Sequence, residues 1–293
     1  MRIAVTGANG QLGTDVCSVF REAGHTVTAL THEDVEIADQ QQVTAALGNI
    51  KPDVVINTAA VHNVEACEAD PDQAFRVNAV GTRNLAIGCE AVSARFMHIS
   101  TDYVFDGAKR APYVETDAPG PLNVYANSKV AGEFFALCES SRHYVVRVSG
   151  LFGSSPCRAK GGRNFVTTML KLASERDEVR VVDDEFVSPT YTIDAARQLL
   201  HLLGTDSFGI YHMTGEGSCS WHEFAAKIFE HSDDVNVKLS KAEPGEFPVK
   251  VRRPMYTVLS NSAMQSAGLP TMPSWEDGLR RFLASFGGQN QTG

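Results

Sequence analysis

The chain has 293 residues, room for one or two domains and for a core that needs neither disulfide nor metal. Apolar residues make up 43% and charged residues 21%. No apolar run reaches the ~18–20 residues of a membrane span, and the opening MRIAVTGANG lacks the apolar stretch of a signal peptide. A net charge of −9 argues against nucleic acid or an anionic membrane as the main partner, so a soluble cytoplasmic protein is expected.

Residues 2–6 form a short apolar, strand-like run. Leu12, Val16, Val19 and Phe20 then recur at helical spacing across 11–22. Further strands are predicted at 25–30, 53–57, 95–100 and 143–149. Long helical patterns are predicted at 70–91 and 123–138. Strands alternating with helices imply parallel βαβ units, and the continuous apolar runs DVVI and YVVRV suit strands covered on both faces. The expected architecture is α/β, a doubly wound parallel sheet formed by residues 1–150.

After residue 150 the pattern loosens. Residues 151–163 are rich in Gly and Ser, and helices are predicted at 164–175 and Thr192–Leu203, the latter returning to the first domain. Ser220-Trp-His-Glu223 has the form of a capping box opening a helix to about Glu230. A last helix is predicted at 275–284. Residues 151–286 are read mainly as a smaller substrate-binding lobe over the strands' C-terminal ends, where open α/β sheets bind ligands, and 287–293 as a frayed tail. The six cysteines show no C-x-x-C pair and are expected to be reduced, buried thiols; no metal site is expected, and Asp183-Asp184-Glu185 reads as a turn. His98, in mid-strand, reads as a core residue.

The loop Thr6-Gly7-Ala-Asn-Gly10-Gln11-Leu12-Gly13 joins the first strand to the first helix. Its glycines allow a tight turn and close approach of a pyrophosphate, which the free N–H groups of the helix start would hold. No Gly-Lys-Ser/Thr follows, which excludes a P-loop. The second strand ends Leu30-Thr31-His32 without the acidic residue that usually holds a ribose 2′-hydroxyl, although Glu33 follows at once. NADPH is therefore favoured over NADH. His32 is either a partner for the 2′-phosphate or a solvated turn residue.

Tyr125 and Lys129 lie four residues apart on one helix face, so the ammonium is expected to draw the phenol's pKa down from about 10 and equip Tyr125 to exchange a proton with a carbonyl or alcohol. Thr101 closes the preceding strand and can donate to the same oxygen.

The segments TGANGQLG, DVVINTAA, NAVGTRNLA, HISTDYVFDG, NVYANSK and VVDDEFVSPT, in this order, resemble the extended short-chain dehydrogenase/reductases, and within them the dTDP-4-dehydrorhamnose reductases. The stretch from Arg252 to Asn261 resembles that family's C-terminal segment. The resemblance covers nearly the whole chain and implies a Rossmann-type fold and NAD(P)H-dependent reduction of a nucleotide-diphosphate 4-keto-6-deoxysugar. It makes Thr101, Tyr125 and Lys129 the catalytic set, with Tyr125 as general acid and Lys129 also on the nicotinamide ribose. It assigns Gly7, Gly10, Gln11, Leu12 and Gly13 to the pyrophosphate, Glu36 and Ile37 to the adenine end, and Ala59, Ala60 and His62 to the pocket wall. Asp102, Tyr103, Asn164 and Phe165 fall on the substrate side; Arg253 joins them on charge alone, as a cation an acidic protein needs to hold a diphosphate. The expected partner is the sugar nucleotide, with a homodimer as candidate assembly.

One position departs from the pattern: the family reads Trp after the fifth strand, where this chain has Gly150. Arg158, Lys160 and Arg163 cluster in the Gly-rich segment and suit a diphosphate, or form a solvated loop. Dehydratases of the superfamily place Asp-Glu after the strand-end Thr; here Tyr103 follows Asp102. Epimerases and other sugar-nucleotide enzymes of the superfamily remain alternatives. So does the non-catalytic regulatory β-subunit of methionine adenosyltransferase, which also resembles this family and would bind NADP structurally.

Overall fold

A computed structural model describes residues 1–157, 161–232, 235–243, 245–246 and 250–290, with side chains described as far as residue 286. The first half builds β1 (Arg2–Thr6), α1 (Gln11–Glu22), β2 (Thr26–Leu30), α2 (Gln40–Ile50), β3 (Val54–Asn57), α3 (Val64–Ala69), α4 (Pro71–Phe75), α5 (Thr82–Ala91), β4 (Arg95–Thr101), α6 (Val124–Glu139) and β5 (His143–Val148). The second half adds β6 (Leu151–Phe152), α7 (Phe165–Glu175), β7 (Glu178–Val181), β8 (Phe186–Val187), β9 (Thr190–Tyr191), α8 (Thr192–Leu203), β10 (Gly209–His212), β11 (Cys219–Ser220), α9 (Trp221–Glu230), β12 (Lys238–Lys241), α10 (Ser262–Ser266) and α11 (Trp275–Asn290).

Six parallel strands form the main sheet in the order β10-β5-β4-β3-β1-β2. Successive side chains on a strand point to opposite faces, and both faces are covered. Ile3, Val5, Met97 and Ile99 pack against α1 and α8; Ala4, Val55 and Phe96 pack against α2, α5 and α6. The helix at Thr192–Leu203 thus lies on the sheet beside α1. The sheet also takes β10 from this part of the chain, a strand too short for its alternation to be read in the sequence.

Three expectations of local structure change. The single helix expected at 70–91 is α4 and α5 joined by a π-helical stretch at Arg76–Gly81. That wider turn sets Asn78 against the loop after β3, where it bonds both the N–H and the carbonyl of Val61 at 2.9 Å. The last helix continues through the tail expected to fray, to Asn290, while residues 291–293 lie outside the described residues. Helix α2 was not predicted; its sequence QQQVTAALGNI buries only Val43 and Leu47, and the Asp39 side chain opens it by accepting from the N–H groups of Gln41 and Gln42.

The second lobe has its own apolar core, in which Phe152, Val166, Tyr191, Phe224, Trp275 and Phe282 meet. The Ser220–Glu223 capping box is present at the start of α9. All six cysteines are free thiols; five are buried, and Cys138 is exposed, against expectation, because it faces outward from the last turn of α6.

Candidate active site

The glycine loop crosses the C-terminal ends of β1 and β3. Gly7 has φ +68°, and a Cβ there would lie 2.6 Å from the Ala59 nitrogen; one on Gly13 would lie 2.3 Å from the Gly7 carbonyl oxygen. Only glycine fits either position. Gly10 is the N-cap of α1 and no side chain caps the helix, so the first-turn N–H groups are open to an anion. This cradle fits a dinucleotide pyrophosphate. Leu12 points into the core, leaving its backbone N–H as the group that could reach a phosphate.

Ala59, Ala60 and His62 follow β3 and are partly exposed. The Ala59 N–H donates to Asn57 Oδ1 at 3.1 Å, and His62 Nε2 lies 3.4 Å from Cys157 Sγ. At the other end of the cleft, Ile37 is buried against Gly81, while Glu36 is partly exposed with its carboxylate on the Ala38 N–H. Asp34 folds back on Thr31, accepting from its N–H at 2.8 Å and its hydroxyl at 2.7 Å, and this turn closes the end of β2.

Thr101 ends β4 and Tyr125 sits in the first turn of α6, whose N-cap, Asn123, also donates to the Arg252 carbonyl. Thr101 and Tyr125 lie next to each other, and the Tyr103 ring meets Tyr125 edge-on at 6.0 Å. Burial pushes the Tyr125 phenol above its ordinary value. The expected lowering by Lys129 is absent: Lys129 is buried, and its Nζ turns to the Ile99 carbonyl at 2.7 Å and to His98 Nε2 at 3.3 Å. Burial also lowers Lys129 to about 8.

Asp102 is buried behind Thr101. Its carboxylate accepts from Thr101 Oγ1 at 3.0 Å and from Ser149 Oγ at 2.7 Å, with Thr257 close by. Burial raises its pKa more than these donors lower it. Tyr103 faces Arg253 and Glu185, and Arg253 forms an ion pair with Glu65. Glu185, partly buried, is raised by burial against the pull of Arg253. Of the acidic triplet, Asp183 bonds Ser220 and Lys241 while Glu185 faces Arg253, so the three do not act together.

Thr101, Asp102, Tyr103, Tyr125 and Arg253 thus meet at one place. Asn164 and Phe165 belong to the second lobe: Asn164 caps α7 and donates to the Gly153 carbonyl at 2.8 Å, and Phe165 packs on Trp221 with ring centroids 4.6 Å apart. Gly150 has φ +53°, and a Cβ would lie 3.0 Å from Val187 Cγ2 and 3.1 Å from Pro189 Cα, so a larger side chain would strain this turn. Arg163 is exposed; Arg158 and Lys160 lie outside the described residues. Ser149, Thr257, Glu185 and His98 were not foreseen at the site. Each is an ordinary residue whose role follows from what it meets across the fold.

The family model described as RmlD substrate binding domain matches residues 1–287. The chain is similar to the spore coat polysaccharide biosynthesis protein SpsK of Bacillus subtilis, with 39% identity over 96% of each chain. It is 33% identical to a dTDP-4-dehydrorhamnose reductase of Sinorhizobium fredii, over 97% of each. Among solved structures, a dTDP-4-dehydrorhamnose reductase of Bacillus anthracis in complex with NADP superposes with a TM-score of 0.92 at 37% identity, covering 97% of this chain and 99% of that one.

Proposed function

The chain belongs to the RmlD substrate-binding family, and from that membership we propose that it is an NADPH-dependent reductase of a dTDP-linked 4-keto-6-deoxysugar. What supports the reading is Tyr125, in the first turn of α6, beside Thr101 at the end of β4, with Lys129 one helical turn further along and a glycine cradle shaped for a dinucleotide alongside. The first-turn N–H groups of α1 would hold the pyrophosphate and Lys129 the nicotinamide ribose. When bound, NADPH supplies the hydride for the sugar's C4.

Reduction of a ketone also needs a proton on its oxygen. Tyr125 suits that task, because burial keeps the phenol protonated through neutral pH. Its O–H bond breaks as the hydroxyl of the product forms, and solvent returns the proton. Tyr103 lines the substrate side, and Arg253 offers a cation to the diphosphate in a protein of net negative charge.

The test is a panel of nucleotide-linked 4-keto-6-deoxysugars with NADPH, followed by loss of its absorbance. Turnover of a dTDP-linked ketosugar is expected. Absence of turnover with every member, alongside tight NADPH binding, would return the protein to a non-catalytic role.

A further inference from the structure

Glu185 stands just before β8 and is half-buried, and its carboxylate has no part in the hydride or proton step. Two backbone bonds fix where it stands. Its carbonyl accepts from the Trp221 N–H at 3.2 Å, which ties it to the start of α9. The N–H of the next residue, Phe186, donates to the Met255 carbonyl at 2.9 Å, which lays this segment beside the stretch that carries Arg253. The Glu185 side chain faces Arg253 and Tyr103, and the Tyr103 ring in turn meets Tyr125 edge-on at 6.0 Å. Tyr125, then Tyr103, then Glu185 with Arg253 follow one another along the cleft.

The proposed substrate has the same order. Its ketone carbon, C4, belongs at Tyr125, and its diphosphate, on C1, at Arg253. C1 and C4 are opposite corners of a pyranose ring, so one of the two edges between them runs past Tyr103 and Glu185. The C2–C3 edge carries two hydroxyl groups. The other edge carries the ring oxygen and the C5 methyl group, neither of which can donate a hydrogen bond. A half-buried carboxylate needs donors, and only the C2–C3 edge supplies them. We propose that Glu185 is a specificity-determining residue that accepts from the hydroxyl groups on the C2–C3 edge of the hexose, which turns that edge towards the second lobe. This rests on reading the substrate as a dTDP-linked 4-keto-6-deoxysugar, and adds which of its groups the chain selects.

The charges favour the same contact. In the ligand-free protein Arg253 offsets Glu185 and also pairs with Glu65. A diphosphate that takes up Arg253 draws that cation away, and a carboxylate left half-buried without donors is costly. Two hydroxyl groups arriving on the same ligand make up the loss, so the diphosphate and the sugar bind as a unit. A group that a substrate hydroxyl must satisfy also rejects a ligand lacking that hydroxyl, and this discriminates more strongly than the fit of an apolar pocket.

Calorimetry on the full-length protein with NADPH reads the contact without turnover. The probes are dTDP, a stable dTDP-6-deoxyhexose, and its counterpart lacking the hydroxyl groups at C2 and C3. In Glu185→Ala the affinity for the dTDP-6-deoxyhexose should fall by roughly tenfold or more, the worth of a charge-assisted bond, while that for dTDP changes by less than about twofold. The wild type should bind the deoxygenated counterpart more weakly than the parent by a similar factor, and Glu185→Ala should bind the two alike. An equal fall for dTDP and for the sugar nucleotide would overturn the proposal, because Glu185 would then act only through Arg253. So would a folded Glu185→Ala that binds the dTDP-6-deoxyhexose as the wild type does. If Glu185→Ala does not fold, Glu185→Gln decides: it keeps the shape and loses the charge, so its preference for the hydroxylated sugar should shrink, and an unchanged preference overturns the proposal. A wild type that binds neither dTDP compound removes the substrate reading and the proposal together, whereas tight binding without regard to the C2 and C3 hydroxyl groups removes the proposal alone.

Discussion

Gln11 of the glycine loop and Asn164 at the start of α7 donate to the same oxygen, the carbonyl of Gly153, at 3.4 and 2.8 Å. The loop proposed to hold the cofactor and the lobe proposed to hold the sugar are thus tied at one backbone group. Gly153 has no room for a side chain, because a Cβ would lie 1.9 Å from Thr192 Oγ1.

Asn164 also caps α7, accepting from the Thr167 N–H at 3.0 Å. Asn164→Ala should destabilise the protein by about 1–2 kcal/mol, the usual cost of a lost cap, and lower Tm by a few degrees. Asn164→Ser should recover most of the Tm, since Ser caps well, yet keep a raised KM for the sugar nucleotide because the tie to Gly153 is gone. Thermal unfolding and steady-state kinetics separate the two effects. A normal KM in Asn164→Ser would show that the tie has no part in substrate binding.

Tyr125→Phe should lower kcat by about 10²–10⁴-fold, the range of a lost general acid, with little change in NADPH affinity. The wild-type phenol is held above its ordinary value of about 10, so its loss of a proton should not limit the rate between pH 6 and 9. Near-normal turnover in Tyr125→Phe would sink the assignment.

Arg253 is exposed and paired with Glu65, with Tyr103 and Glu185 near it. If it holds the diphosphate, Arg253→Ala should raise KM by roughly tenfold or more, the worth of a charge-assisted bond, with a smaller fall in kcat. Added salt should raise the wild-type KM by screening. An Arg253→Ala enzyme with an unchanged KM would place the diphosphate elsewhere.

His212 is buried on β10, with Nδ1 3.1 Å from the Tyr113 and Ser260 carbonyls and Nε2 3.4 Å from Arg147 Nη1. Burial and the Arg147 charge lower its pKa to about 3, well below the ~6.5 of an unfolded chain. Between those values the unfolded state binds the extra proton. The His212 contribution to stability is therefore present above pH ~6.5 and drains away as the pH falls towards 3. Urea midpoints should fall across that window. His212→Gln, which keeps a donor and an acceptor and does not titrate, should flatten the fall. An equal slope in both proteins would show that other groups carry it.

The local signals of the fold are periodic ones, and a periodic signal is present in the residues themselves. The alternation of strand and helix to residue 150, the glycine spacing from Gly7 to Gly13, Tyr125 and Lys129 one helical turn apart, and the Ser220–Glu223 capping box all repeat over a few residues. Those patterns, with the ordered motifs of the family, were enough for the fold class and for the three residues proposed to do the chemistry. What the tertiary structure decided is who faces whom. Ser149 reaches Asp102 from 47 residues away, and Thr257 reaches it from the C-terminal segment. His98 looks like any buried strand residue until Asn57, on the neighbouring strand β3, and Lys129, on the helix above, come to rest against its two nitrogens. The lowered pKa of Lys129 and the raised pKa of Tyr125 follow from burial. Spacing along the helix predicted that the two residues share a face, and the low-dielectric interior, with the partners it supplies, decided which way the pKa of each one moved.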